Sequence, residues 1–250
     1  NGILALTLSG NDLYAGGDFK TAGGNSATNV AKWNGSEWSP LGLGVDNMVI
    51  ALAMLGSNLY AGGIFTNAGG LTANRIAKWD GSGWSALGSG VNAQVAALAI
   101  GGNDLYVGGS FSTANGVLAN RIAKWDGSAW LPLGLGINGS VFALAVSGTD
   151  LYAGGSFTTA GGLAANQIAR WDGAAWSALG SGMNNTVWAL VQANTNLYAG
   201  GRFTTVADKV SSYAAKANIS AARGRLNNVV YSPTTGFSCT FLDGTAGQPY

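Results

Sequence analysis

The sequence contains no histidine. That removes at once the commonest general base and the commonest metal ligand. A Ser–His–Asp triad cannot form, however abundant serine and threonine are. Cysteine is nearly absent as well: Cys239 stands alone, so no intrachain disulfide can form. Glu37 is the only glutamate among eleven acids. Charged residues make up 9% of the chain, against about 25% in an average soluble domain. The net charge is +1, which argues against nucleic acid and anionic membrane as partners. No apolar run reaches the length of a membrane-spanning helix, so no membrane insertion is expected. No signal peptide opens at Asn1, and a chain starting within a repeat and without Met is expected to be a processed or trimmed product.

What is present is apolar and glycine-rich. Apolar residues reach 47%, enough for a sizeable core, and 41 of 250 residues are Gly, without the three-residue period of collagen. Richness in Gly, Asn, Ser and Thr with little charge points to a secreted or cell-surface protein.

The chain is internally repetitive. Leu-Tyr-(Ala/Val)-Gly-Gly-x-Phe begins at Leu13, Leu59, Leu105, Leu151 and Leu197, a constant interval of 46 residues. Each copy reads as four short strands. The first, such as Val49–Ala53, is apolar on both faces and is expected to be buried on both. The second runs from Leu59 into Gly62-Gly63, a pair that suggests a bulge or close backbone approach. A polar loop from Thr66 to Ala73 follows. The third strand, Arg75–Trp79, enters Asp80-Gly81, a strong hairpin signal, and the fourth starts at Trp84. A two-residue turn there would set Ala77 opposite Trp84 and make Trp79 and Trp84 diagonal neighbours. The same register sets Lys32 opposite Glu37. Eight of the nine Trp are thereby expected to act as core staples, with sugar stacking by some of them as the alternative.

Four strands per 46 residues match one blade of a propeller. The expected fold is all-β: a five-bladed β-propeller of four-stranded repeats over residues 1–222, with a short non-repeat β segment over 223–250. The Gly-Gly, Trp-Asp and Trp pattern resembles the kelch repeat. It is also similar to Gly-rich repeats of bacterial surface proteins and of the fungal cell-polarity marker family. The resemblance covers residues 1–220 and departs from kelch in its short period and low charge. It implies fold more than function. A copper oxidase of the kelch-like kind would need His ligands, which this chain lacks.

The fifth copy is irregular. Ala217-Asn218 stands where Trp-Asp is expected, so its outer strand is missing or is supplied by Asn227–Ser232; alternatively, further blades precede Asn1. In the tail, Phe237, Cys239 and Phe241 alternate with polar residues like a half-buried strand. Asp243-Gly244 reads as a turn. The tail resembles the opening hairpin of an Ig- or fibronectin-like module, and self-association through it is one possibility.

No constellation for chemistry emerges. Asp80, Asp126 and Asp172, and likewise Asp12, Asp104 and Asp150, sit where turns need Asp. The Gly pairs precede no helix, so they are not phosphate loops. The calcium-loop spacing is absent. No cofactor and no metal are expected. The cations at Lys32, Lys78, Lys124, Arg170 and Lys216 are expected to lie along sheet faces and pair locally. The copies differ most in the loop after Phe: the first has Asp18 and Lys20, the fifth Arg202, Asp208 and Lys209. If blades one and five are neighbours, these five residues form a charged seam, the candidate ligand site. A second divergent position, Leu4, Ile50, Ala96, Phe142 and Trp188, is expected to record uneven packing.

The function expected is therefore non-enzymatic. It is an extracellular or cell-surface binding or scaffold propeller, possibly a subunit of a surface assembly or filament, with a protein or glycan partner. The alternative is a multivalent carbohydrate-binding lectin with sites between blades.

Overall fold

The computed structural model describes residues 2–207 and 209–219, together with the backbone of Asn228–Ser232 and Gly236–Thr240. It contains strands and turns, and no helix among the described residues. Each of the first four repeats builds one antiparallel sheet in which the four main strands lie in chain order. In the second sheet they are Val49–Leu55, Asn58–Gly63, Ile76–Trp79 and Trp84–Ala86. The other sheets open at Gly2, Val95, Ser140 and Val187. The fold is thus all-β, with five repeats and a short C-terminal β segment.

By internal contacts the chain divides into two compact units. Asn1–Gly136 holds the first three sheets, and Ile137–Tyr250 holds the last two. Within each unit the sheets stack face to face by one rule. Every sheet has a leading face, carried by Val and Leu of its first strand, and a trailing face, carried by Ala of that strand with the Tyr and first Gly of the next. Leading faces pack on trailing ones: Val49 and Val95 in the first unit and Val187 in the second are fully buried. The trailing-face residues Ala51, Ala53 and Tyr60, and Ala143, Ala145 and Tyr152, are buried too.

The glycine pair is explained by this stacking. A Cβ at Gly62 would lie 2.4 Å from Val95 Cγ1, so the first Gly lets the next sheet approach. A Cβ at Gly63 would lie 2.0 Å from the carbonyl oxygen of Met48, so the second lets the adjoining strand cross close by. That crossing is a bulge: Val49 pairs with Gly63 and Ala51 with Gly62, leaving Ile50 without a partner. The same irregularity recurs at Leu4, Ala96, Phe142 and Trp188. The position that varies most in volume is therefore the bulged residue, freed from ladder pairing. In the second unit Phe142 and Trp188 stack there with centroids 4.4 Å apart.

Three local expectations are corrected. The Trp hairpin turns through four residues, not two, so Trp79 faces Trp84 and Ala77 faces Ala86. The cause is Asp80, whose Oδ1 accepts from the backbone N–H of Ser82 and of Gly83, each at 2.9 Å. The indoles are then direct cross-strand neighbours, 5.5 Å between centroids. In the first sheet this register sets Lys32 opposite Ser39 rather than Glu37. The polar loop from Thr66 to Ala73 contains a small hairpin of Asn67–Ala68 and Leu71–Thr72, repeated in every copy.

In the fifth sheet the strand beside Ala214–Asn218 is Gly236–Thr240, paired in parallel. Asn228–Ser232 lies outside it, antiparallel. The outer position is thus filled from further along the tail than Asn227–Ser232. The parallel sense reflects the long connection that precedes it. The Asp243-Gly244 turn and Phe241 lie outside the described residues.

Candidate functional site

The acids and bases are largely spent on the frame. Lys32 bonds Asp12 at 2.7 Å, Lys124 bonds Asp104 at 2.8 Å, and Arg170 grips Asp150 at 2.7 and 2.9 Å. The carboxylate partners hold these three cations above their ordinary pKa, against the opposing effect of burial. Lys216 lies over the Tyr198 ring, 5.8 Å from its centroid. Backbone hydrogen bonds from Ser82 and Gly83 lower Asp80 to about 2. No group of three potential metal ligands occurs among the described residues.

The five residues of the charged seam are placed as follows. Asp18 ends the second strand of the first sheet, and Lys20 lies two residues on; both are exposed. Arg202 follows the second strand of the fifth sheet, and Lys209 opens the outer strand of that sheet's small hairpin. Both are exposed. Asp208 lies outside the described residues. Asp18 and Lys20 belong to the first compact unit, Arg202 and Lys209 to the second.

The sequence reading missed a second recurring feature, a socket in each sheet filled by the linker before it. In the second sheet Phe65, Ala68, Ala77 and Trp84 enclose Leu41 and Val45. The Trp84 indole N–H donates to the Leu41 carbonyl at 2.8 Å. Asp46 Oδ1 accepts from the backbone N–H of Thr66 at 2.8 Å and of Asn67 at 3.0 Å. Burial tends to raise the Asp46 pKa, but these bonds outweigh it and hold it at about 2. The third sheet repeats the pattern: Trp130 donates to Leu87 at 2.8 Å, and Asn92 caps Ser112 and Thr113. In the second unit Leu179 and Met183 fill the fifth socket and Asn184 caps Thr204 and Thr205.

The first sheet has the same socket in open form. A cavity of about 450 Å³ is lined by Ile3, Phe19, Ala22, Gly23 and Trp38, the counterparts of the residues that hold Leu41. Lys20 and Thr21, one step along the rim, occupy the positions that Asp46 caps in the second sheet.

A third feature is apolar and exposed. At the tip of the small hairpin, Leu71 and Val117 in the first unit and Leu163 in the second are 58%, 54% and 61% exposed. Leu43, also exposed, sits beside the Leu71 hairpin at Gly70. The signal is readable in retrospect: Gly-Gly-Leu in two of the middle three copies and Asn-Gly-Val in the other, against Gly-Gly-Asn in the first.

No protein-family model and no curated protein sequence matches the chain. Solved structures do. A chain of a mitotic checkpoint complex matches 79% of this chain at 16% identity, with a TM-score of 0.53. The extracellular domain of a putative one-component system from B. thetaiotaomicron matches 80% at 14% identity, also with a TM-score of 0.53. This chain covers 57% of the first and 26% of the second. At such identities the likeness speaks for the fold alone: an all-β, propeller-like frame of repeated four-stranded sheets, about 46 residues each.

Proposed function

We propose that the protein is a non-enzymatic binding scaffold of the secreted or cell-surface kind, engaging protein or glycan partners through its repeated hairpin tips. The observation that carries this reading is the recurrence of an exposed apolar residue at one hairpin position, Leu71, Val117 and Leu163. It stands on a frame where Asp12, Asp104 and Asp150 pair with strand cations and Asp80 fastens a turn. Side chains exposed at equivalent places in successive repeats suit multivalent contact, in which several weak sites act together. The low charge and the wealth of Gly, Asn, Ser and Thr favour an extracellular setting. The kelch-like reading belongs here too and rests on the Gly pair and the Trp hairpin.

The test presents the labelled chain to an array of glycans and extracellular protein domains, beside the variant L71S/V117S/L163S. Binding that falls about tenfold or more in the variant, with an unchanged melting curve, supports the proposal. Equal binding by both proteins, or turnover of an arrayed glycan, overturns it. Signal confined to glycans would favour the lectin form.

A further inference from the structure

Asn-Gly pairs stand at Asn34, Asn115 and Asn138, and the fold treats them differently. Such a pair is reactive because glycine, having no side chain, lets its backbone nitrogen approach the carboxamide carbon of the asparagine before it. Asn34 and Asn138 share the tripeptide Asn-Gly-Ser, so a difference between them comes from structure.

Asn34 sits in the Trp hairpin of the first sheet, where the next three copies have Asp80, Asp126 and Asp172. Its Oδ1 accepts from the backbone N–H of Ser36 and of Glu37, each at 2.9 Å, and from the Ser36 hydroxyl at 2.8 Å. These bonds fold the carboxamide over Gly35. Asn34 is exposed, and its amide nitrogen has no hydrogen-bond partner among the described residues. The Gly35 N–H has no acceptor among them either. A Cβ on Gly35 would meet nothing within 4 Å, so the turn is open to water. Asn138, by contrast, is clamped. Its Oδ1 accepts from the backbone N–H of Thr158 and of Thr159, and its amide nitrogen donates to the Thr158 hydroxyl, each at 2.9 Å. Both ends of that carboxamide are held by residues twenty or so positions on, and neither by the turn that follows it. Asn115 is held by Ser89, whose N–H and hydroxyl bond its Oδ1 at 2.9 and 3.0 Å.

We propose that Asn34 is a site of spontaneous modification, losing ammonia through a cyclic imide with Gly35 to become aspartate or isoaspartate. The Gly35 nitrogen gives its proton to solvent base and bonds to Asn34 Cγ, while the carbonyl electron pair moves onto Oδ1. The three donors on Oδ1 stabilise that oxyanion. The Cγ–Nδ2 bond then breaks, and ammonia leaves with a proton taken from water. A water molecule adds to either carbonyl of the five-membered imide and reopens it, leaving a carboxylate. Water is the only co-reactant. The aspartate product takes the place that Asp80, Asp126 and Asp172 hold in the other copies. Backbone N–H groups lower the pKa of those three acids and keep them ionised. An ionised carboxylate resists attack by the glycine nitrogen, so the chemistry stops at the acid. This modification uses no residue of the hairpin tips and stands apart from the binding proposal.

The full chain, incubated folded and in urea at mildly alkaline pH, provides the test. Peptide mapping by mass spectrometry follows the one-dalton gain at each pair, and aspartate and isoaspartate both count. In the folded chain the Asn34 peptide is expected to convert at least about tenfold faster than the Asn138 peptide. In urea the two rates are expected to converge, because the tripeptide is the same. N34Q keeps an amide on a side chain one carbon too long for the five-membered imide, and its peptide is expected to gain nothing over the same period. Equal rates at Asn34 and Asn138 in the folded chain overturn the proposal. So does an Asn34 that reacts more slowly in the folded chain than in urea.

Discussion

Asp46 shows how much one position can be asked to do. It caps two backbone N–H groups of the next sheet, as Asn92, Asn138 and Asn184 do in later repeats. The amide and the carboxylate accept the same bonds, but only the carboxylate titrates. Its folded pKa of about 2 lies below the roughly 3.9 of an unfolded Asp. Its contribution is therefore complete above about pH 4 and is lost as pH falls through 2. D46N is expected to fold as the wild type does at pH 7 and to lose less melting temperature between pH 4 and 2. Thermal melts at four or five pH values check this. An unchanged acid slope would mean that Asp46 is not the titrating cap.

The residue scale is also where sequence reading was weakest. The ion pairs join residues twenty apart, Asp12 to Lys32, Asp104 to Lys124 and Asp150 to Arg170. Local pairing of the cations is expected from the sequence, and three of them do pair, but Asp12, Asp104 and Asp150 read as turn residues and not as the partners. Only the register of second against third strand brings them together. The second and fifth copies, with Asn58 and Asn196 at the acidic position, lack the pair. The cation is kept there as Lys78 and Lys216, so the pairing does not show as covariation between the copies.

Among elements, the four strands of each sheet were legible because Val-x-Ala-Leu-Ala, Leu-Tyr-Ala-Gly-Gly and the Trp pair recur at a fixed period. The register of the Trp hairpin was not. Asp-Gly suggests a two-residue turn, but the Asp80 side chain captures two further N–H groups and widens the turn to four residues. The small hairpins were hidden by brevity, two residues per strand. The parallel pairing of Ala214–Asn218 with Gly236–Thr240 joins segments that share no repeat pattern. The Gly pairs, by contrast, were read for the right reason. G62A is expected to destabilise the chain by about 1–3 kcal/mol, because Val95 leaves no room for the methyl group. G200A serves as its control, because a Cβ there would meet nothing nearer than 3.9 Å, and is expected to cost under about 0.5 kcal/mol in urea unfolding. Equal losses would show that the glycines serve strand geometry and not stacking.

Taken as a whole molecule, the chain is a short series of interchangeable contacts. One linker rule fills the sockets, one face rule stacks the sheets, and the exceptions lie at the first and fifth repeats. Sequence reading directed attention to those repeats because of their charges, Asp18, Lys20, Arg202, Asp208 and Lys209. The structure adds apolar side chains there, with Ile3 and Leu6 exposed in the first repeat and Val191 and Tyr198 in the fifth. It also adds the hairpin tips of the middle repeats, where Leu71 and Leu163 are exposed. A function carried by such surfaces needs no His, no metal and no strained acid.

Hydrogen exchange at the tryptophan indoles tests the central claim that each linker seats in the socket of the following sheet under a Trp indole. Trp84 and Trp130 donate to buried carbonyls of the preceding linker, while no described acceptor faces the Trp38 indole across the open socket. In dilute solution the Trp38 indole N–H is expected to exchange at least about tenfold faster than those of Trp84 and Trp130. Equal protection of all three would contradict the account.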